Sequence, residues 1–271
     1  MSDVYSFKYT PVRLLCNGVT GGIPATNITF STTNNITQVK SLGKRQAFYS
    51  QVPNDVVTHN ISFQYNIQND DLVKSFIDNM KNNFTDVPPS GDIDIAGLRF
   101  TGCYLDSFSF TVEPDKIVNA QASFFTFFPP TGQIGTYTTQ QSLNSNFLHG
   151  SRAAINATPN SFLGQTEDYT NLFNLSYSFK AEYLPVKVLN TQIPRTVKFN
   201  GASEEFEMSE ALYRRVVYTG DSRVITFAIE PLCCPGSSYS MLISGAQSTT
   251  IEGSSAVDGI TTTRRRFTKY Y

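Results

Sequence analysis

The sequence is poor in the residues that most often carry chemistry or bind polyanions. Its 271 residues include no tryptophan, two histidines and four cysteines, and only 16% of them are charged. The formal net charge is −1. A chain this close to neutrality lacks the basic surface that attracts nucleic acid or an anionic membrane. We therefore expect no sequence-specific binding of nucleic acid and no membrane as a partner.

Long apolar runs and targeting signals are also missing. No stretch of about 18 or more apolar residues occurs, so no transmembrane helix is predicted. The N-terminal segment shows neither a basic region nor an apolar one, so no signal peptide is predicted. Cys16, Cys103 and the adjacent Cys233 and Cys234 lack the spacing of a zinc site. We expect them to be reduced structural thiols.

No group of residues has the pattern of a catalytic site. The two histidines, His59 and His149, do not lie near a nucleophile motif such as G-x-S-x-G. The glycine-rich run 18–22 lacks the G-K-[ST] ending of a phosphate-binding loop, and we expect a turn there. The carboxylate pairs at 70–71 and 204–205 lie near predicted helix starts, where negative charge suits the helix dipole. No catalytic residue, metal site or cofactor is predicted.

What the sequence does have is a strong tendency to form β-strands. With 21 phenylalanines and 14 tyrosines, the chain can bury enough apolar surface to fold, which excludes wholesale disorder. Apolar and polar residues alternate in segments such as 59–67, 104–112, 121–128 and 224–229. Alternation with a period of two is typical of strands that bury one face. The predicted fold class is mainly β, a β-rich α+β fold.

Two segments are predicted to be helical. In 70–82 an apolar stripe repeats at helical spacing, and Asn69 or Asp70 can cap the helix. The second helix is predicted at 210–218, with Ser209 as its cap.

An internal repeat organises the chain. Residues 28–42 resemble 175–189, and residues 111–118 resemble 250–257, with one predicted helix between the two stretches in each half. A single insertion in the first copy, before its helix, aligns all of these stretches. A repeat of this length indicates one structural unit that occurs twice.

The repeat predicts two tandem β-sandwich or half-barrel domains, each with one flanking helix. We place the first at 1–131 and the second at 172–271. The polar segment 132–171 between them is predicted to be a linker or an arm that clasps a neighbour. Units of this kind leave strand edges and aromatic surfaces that neighbouring copies can cover.

The repeated unit resembles the tail-tube fold of long-tailed bacteriophages, over roughly 25–130 and 172–271. One pattern that carries the resemblance is LSYSFKAEYLPVKVLNTQIPRTVKFNG at 175–201, which is similar to the first hairpin of tube-like domains. The other is GCYLDSFSFTVEPDKIVNAQASFFTFFP at 102–129, which is similar to their closing hairpin. The resemblance implies a homo-oligomeric ring whose sheets join into one large β-barrel, in the tail of a virion assembled in the host cytoplasm.

The resemblance also implies which residues make contacts between rings. In the tube family a long loop between the first two strands stacks one ring on the next, and it matches 41–54 and 190–200 here. The candidate interface residues are Lys44, Arg45, Phe48 and Tyr49 in the first loop and Arg264, Arg265 and Arg266 in the last strand pattern. A solvated turn is the alternative for the Lys44–Arg45 pair, and an acidic neighbour or water for the arginines.

The expected function is that of a structural virion protein that forms the tail tube, a channel for the tape-measure protein and for passing DNA. Three two-domain chains or six chains would close a ring, and hub, sheath and tape-measure proteins are the implied partners. A tail-hub, baseplate or adaptor protein that caps the tube is the first alternative. A virion carbohydrate-binding β-sandwich is a more distant one, and a hydrolase that uses His59 or His149 is disfavoured.

Overall fold

The computed structural model describes most of the chain. The described residues are 12–16, 19–34, 36–39, 50–53, 56–82, 87–133, 146–159, 167–169, 172–189, 193–210, 222–231, 239–254 and 262–271. Most of them lie in antiparallel strands, and one helix is found among them. The main sheet is not closed. The predicted fold class, mainly β with some helix, is confirmed.

Seven strands of the first half pair in the order β2-β1-β7-β8-β9-β6-β3. The elements of this half are β1 (Val12–Cys16), β2 (Val19–Ile23), β3 (Ala25–Thr33), β4 (Ile36–Val39), β5 (Ser50–Pro53), β6 (Thr58–Asn66), α1 (Leu72–Asn82), β7 (Gly91–Ile95), β8 (Leu98–Val112) and β9 (Asn119–Thr126). Strands β4 and β5 form a separate hairpin between β3 and β6.

The seven strands of the second half pair in the same relative order as the seven strands of the first. Its strands are β10 (Leu148–Pro159), β11 (Glu167–Tyr169), β12 (Leu172–Val186), β13 (Thr196–Glu210), β14 (Ser222–Pro231), β15 (Tyr239–Ser254) and β16 (Thr262–Tyr270). They pair in the order β11-β10-β14-β15-β16-β13-β12. Each strand therefore has a counterpart: β1 matches β10, β3 matches β12, β6 matches β13, β8 matches β15 and β9 matches β16.

Two irregularities of the strand pairing recur at matching places as well. A bulge between Ala25 and Asn27 in β3 has its counterpart between Leu172 and Asn174 in β12. Because bulges are local features of a particular pairing, their recurrence supports the duplication that the sequence predicts.

A second recurring bulge fixes how β8 and β15 correspond. It falls between Leu105 and Ser107 in β8 and between Ser248 and Thr250 in β15. Ser107 thus corresponds to Thr250, whereas the sequence alignment matched Thr111 to Thr250 and was wrong by four positions. The repeat is therefore better defined by its pairing than by its residues in this hairpin.

The two halves join in one continuous sheet. The last part of β8 pairs with β12 in six rows, from Ser107 opposite Lys180 to Val112 opposite Leu175. The core also crosses this junction, because the ring of Phe110 lies 5.4 Å from that of Tyr177 and 5.7 Å from that of Phe227. Alternation along each strand places such aromatic rings on the buried face.

Helix α1 begins two residues later than predicted and buries the predicted stripe. Val73, Phe76, Ile77 and Met80 are buried, and the cap is Asp71 rather than Asn69 or Asp70. The Val73 amide and the Tyr65 hydroxyl both donate to the carboxylate of Asp71, at 3.0 Å and 2.9 Å. Burial raises the pKa of Asp71 to about 6. None of the described helices is long and apolar enough to span a membrane.

Two further predictions need correction. The linker predicted at 132–171 contains β10 and β11, which pair in the second half in the places that β1 and β2 hold in the first. The second predicted helix, 210–218, meets a strand at its start, because Ser209 and Glu210 lie at the end of β13. The rest of that helix lies outside the described residues. The division into two domains itself stays a prediction.

Candidate functional site

The face of the main sheet that points away from the core is lined mostly by small polar side chains. On β6 and β9 like residues stand opposite each other, as Ser62 does to Ser123 and Asn66 to Asn119. Ser123 Oγ donates to Ser62 Oγ at 3.1 Å, and Asn119 Nδ2 donates to Asn66 Oδ1 at 3.2 Å. The face continues across the junction of the halves through Ser107, Ser109, Thr111, Ser176 and Ser178. We call this surface the polar face.

The charges on the polar face include pairs of opposite sign within the chain. Arg264 Nε lies 2.6 Å from Glu207 Oε1, and Arg266 lies 2.9 Å from Glu207 Oε2. Arg264 also lies 3.7 Å from Glu252. Burial alone would raise the pKa of Glu207, but the hydrogen bonds from the two arginines lower it overall. Two of the three predicted interface arginines are thus paired inside the chain.

The third arginine of the run lies on the other side of the sheet. Arg265 is buried and stands opposite Met208 and Ile251 in register. Its place follows from strand alternation, which sends neighbouring side chains to opposite faces. Arg265 therefore does not share the surface of Arg264 and Arg266, and the predicted interface role of the run stays a prediction.

Besides the terminal strands β2 and β11, two other strands have an edge that no described strand covers. β3 pairs with β6 on one side, and no described strand pairs with its other side. β15 pairs with β14 up to Gln247, and no described strand occupies that same side from Ser248 to Ser254. In the first half the matching side of β8 is covered by β12. Unpaired strand edges are templates for pairing with another chain.

An aromatic side chain marks the open edge of β3. Phe30 points to the core side of the sheet, opposite the buried Ile61, yet it is 46% exposed. Its counterpart in β12 is Tyr177, which is 1% exposed because β8 runs beside it. One difference between these two positions is that β8 runs beside Tyr177, whereas no described strand runs beside the outer edge of β3 at Phe30.

Exposed apolar side chains lie at both ends of the strands. At the end where β12 finishes, Leu184, Val188 and Leu189 are exposed, and Leu189 is 93% exposed. At the opposite end, where β12 begins and β8 finishes, Ile117 and Phe173 are about half exposed. These side chains are candidates for contact with other proteins at both ends of the strands.

The predicted stacking loops are only partly described. Lys44, Arg45, Phe48 and Tyr49 lie outside the described residues, and β4 and β5 flank them as a hairpin. The second predicted loop, 190–200, is shorter than expected because β13 begins at Thr196. These candidate contacts therefore stay predictions.

A buried carboxylate that the sequence analysis misassigned ties the halves together. Glu204 in β13 accepts hydrogen bonds from Lys81 Nζ of α1 at 2.6 Å, from the Tyr177 hydroxyl at 2.6 Å and from the Tyr271 hydroxyl at 2.5 Å. Burial raises the pKa of Tyr177, and the neighbouring Glu204 raises it further. The sequence held a signal for this position: Ala202, Glu204, Phe206 and Met208 alternate along β13, which predicts that Glu204 shares the core face with the other three.

The two histidines lie apart from each other. His59, in β6, is buried and shares a 2.9 Å hydrogen bond with Thr32 Oγ1. Burial lowers the pKa of His59. His149, in β10, shares a 2.8 Å hydrogen bond with Ser151 Oγ. The described residues contain no cluster of three or more His, Cys, Asp or Glu side chains that could hold a metal ion.

Sequence comparisons add no relative to these observations. No model of a known protein family matches the chain, and no curated protein matches it in sequence. The features that bear on function are the polar face, the open edges of β3 and β15, and the exposed apolar side chains at the ends of the strands.

Proposed function

We propose that this protein is a structural component of a long-tailed bacteriophage tail, in which copies join edge to edge into a ring and the rings stack into the tail tube. The observation that carries the proposal is an open sheet in which one strand order occurs twice, with two free edges at β3 and β15 and a face lined largely by small polar side chains. Heterologous edges of this kind close into a ring when the rotation between copies allows it.

In the proposed ring the polar face lines the channel. Hydroxyl and amide groups keep most of such a surface hydrated, and they carry no charge that would bind a passing polyanion. Arg264 and Arg266 are neutralised by Glu207 and Glu252, so they contribute little to counterion-driven binding of DNA. The proposed mechanism is passive: a closed sheet without edges is a stiff conduit through which the tape-measure protein and the DNA pass.

The exposed apolar residues favour a tube over a hub or an adaptor. A tube repeats along its axis, so both ends of each ring must bind another ring, whereas a capping protein needs two different partners. Leu189 at one end of the strands and Phe173 at the other are both exposed and apolar. Contact between such apolar side chains on neighbouring rings would support stacking of identical rings.

Electron microscopy of the purified full chain, with mass photometry of the same sample, tests the proposal. Stacked hollow rings of three or six chains are the expected result. Single rings that never stack would favour the hub or adaptor alternative. A monomer without a central hole at every concentration would contradict the proposal, and glycan binding by that monomer would favour the carbohydrate-binding alternative.

A further inference from the structure

We infer that β3 of one copy pairs antiparallel with the open end of β15 of the next copy, in the register that β12 and β8 adopt inside the chain. The inference deepens the proposed function, because it takes the partner to be a second copy of this chain. It identifies the two surfaces that meet and the residues that stand opposite each other.

The first step is that β3 and β12 are equivalent strands. Both begin with a bulge, both pair next to a central strand, and the bulges place Asn27 and Asn174 at the same position. Counting from there, Ser31 corresponds to Ser178 and Phe30 to Tyr177. In the chain, β12 uses its outer edge to pair with β8, while the same edge of β3 has no described partner.

The second step is that β8 and β15 are equivalent strands. Their shared bulge places Ser107 and Thr250 at the same position, so Ser109 corresponds to Glu252. β8 pairs first with β7 and, beyond Cys103, with β12. β15 pairs first with β14, up to Gln247. Beyond Gln247 the same edge of β15 corresponds to the edge of β8 that pairs with β12.

These equivalences fix the register between copies. Inside the chain Ser109 stands opposite Ser178. The inferred rows of β15 against β3 of the next copy are Thr250 with Thr33, Ile251 with Thr32, Glu252 with Ser31, Gly253 with Phe30 and Ser254 with Thr29. Glu252 and Ser31 both lie on the polar face and are exposed in the single chain.

The exposure of Phe30 is explained by this pairing. At the internal junction Tyr177 is buried because Phe108 and Phe110 of β8 lie beside it. In the inferred register Gly253 takes the place of Phe110 opposite Phe30, and Ile251 takes that of Phe108. A second copy therefore covers Phe30 with the backbone of β15 rather than with a pair of aromatic rings. Because the two edges belong to different strands, each copy keeps one donor edge and one acceptor edge, so addition of copies continues until the ring closes.

Engineered cysteine pairs test the register in the full chain. The in-register pair is Glu252→Cys with Ser31→Cys, because residues directly opposite in antiparallel strands lie within disulfide reach. The matched internal pair is Ser109→Cys with Ser178→Cys, which stands at the same place in the first half. The off-register pair is Glu252→Cys with Thr33→Cys, which lie diagonally and too far apart for a disulfide.

After mild oxidation, the in-register pair should form covalent oligomers on non-reducing gels. The internal pair should instead lose two free thiols without a gain in mass. The off-register pair, the single variants and the parent chain with its native cysteines should give no more covalent oligomer than background. Circular dichroism of each variant checks that the exposed substitutions leave the fold intact.

Mass photometry of the same samples separates the two ideas. If rings form and the internal pair cross-links, but the in-register pair does not, the inferred register is overturned while the ring stands. Cross-linking of the off-register pair above that of the in-register pair overturns it as well. A monomer at every concentration overturns both the register and the proposed function.

Discussion

Replacing Lys81 with methionine removes the ammonium group that faces the buried carboxylate of Glu204. The side chain of Lys81 is 12% exposed and that of Glu204 is fully buried. Methionine keeps most of the apolar stem of lysine, so the main loss is the charge partner. An uncompensated buried charge costs about 3–5 kcal/mol of unfolding free energy. For a chain of this size that corresponds to a fall of roughly 6–20 °C in the midpoint of thermal unfolding.

The assay is thermal and urea unfolding followed by circular dichroism, at neutral pH and fixed protein concentration. Lys116→Met is the matched control, because Lys116 pairs with Glu113 on the surface and such a pair contributes about 0–1 kcal/mol. Adding Glu204→Gln to the Lys81 variant removes the buried charge and should restore most of the lost stability. If Lys81→Met costs no more than Lys116→Met, or if the double variant is no more stable than the single one, the assigned role of the buried pair is wrong.

Three other predictions follow from separate features. Phe48→Asp should block polymerisation and leave the circular dichroism spectrum unchanged; tubes that still form in electron micrographs would remove the stacking role of that loop. Because burial raises the folded pKa of Asp71 to about 6 from 3.8, its contribution to stability falls as the pH rises from about 4 to about 6 and then stays level. Asp71→Asn should flatten the dependence of the urea-unfolding free energy on pH between about 4 and about 6. An unchanged dependence would contradict the raised pKa of Asp71. Gly150→Ala places a methyl group against the carbonyl of Glu113 and should cost about 1–3 kcal/mol of unfolding free energy in urea. The control, Ser151→Ala, should be nearly neutral. Equal effects of the two substitutions would contradict the close packing of β10 against Glu113.

The parts of the fold that sequence patterns predicted are those in which large apolar residues repeat regularly. The stripe of α1 was found as predicted, with Phe76 against Phe124 at 5.8 Å between ring centroids. Strands β6, β8 and β9 alternate with large apolar residues inside and small polar ones outside. Each of these segments carries its own periodic signal, so no knowledge of its neighbours is needed.

The elements that were missed lack such a signal or carry a misleading one. β10 is built largely from small residues, and pairing with β14 rather than its own hydrophobicity defines it as a strand. In β13 the buried Glu204 interrupts the apolar alternation, and the adjacent pair of glutamates resembles the acidic start of a helix. Glu204 is tolerated in the core because three donors from distant parts of the chain meet it, and a local pattern cannot reveal them.

The candidate site was predicted in kind rather than in detail. Open strand edges followed from the repeat, but the residues singled out were charged or aromatic ones in loops and in the last strand, and the need for partners stays a prediction. The arginine run illustrates the limit: strand alternation sends Arg265 to the core and the other two to the polar face, where glutamates of the same chain bind them. The edge residues Phe30 and Ser31 carry no distinctive motif and emerge only when the pairing of both halves is compared.

The junction of β8 with β12 has a consequence for how assembly depends on dilution. A contact between two parts of one chain forms at an effective concentration on the order of millimolar, whatever the concentration of the protein. In the proposed ring, half of the edge-to-edge joints would lie within single chains and would therefore not depend on the protein concentration. Under this proposal, protein concentration would control ring closure only through the joints between copies.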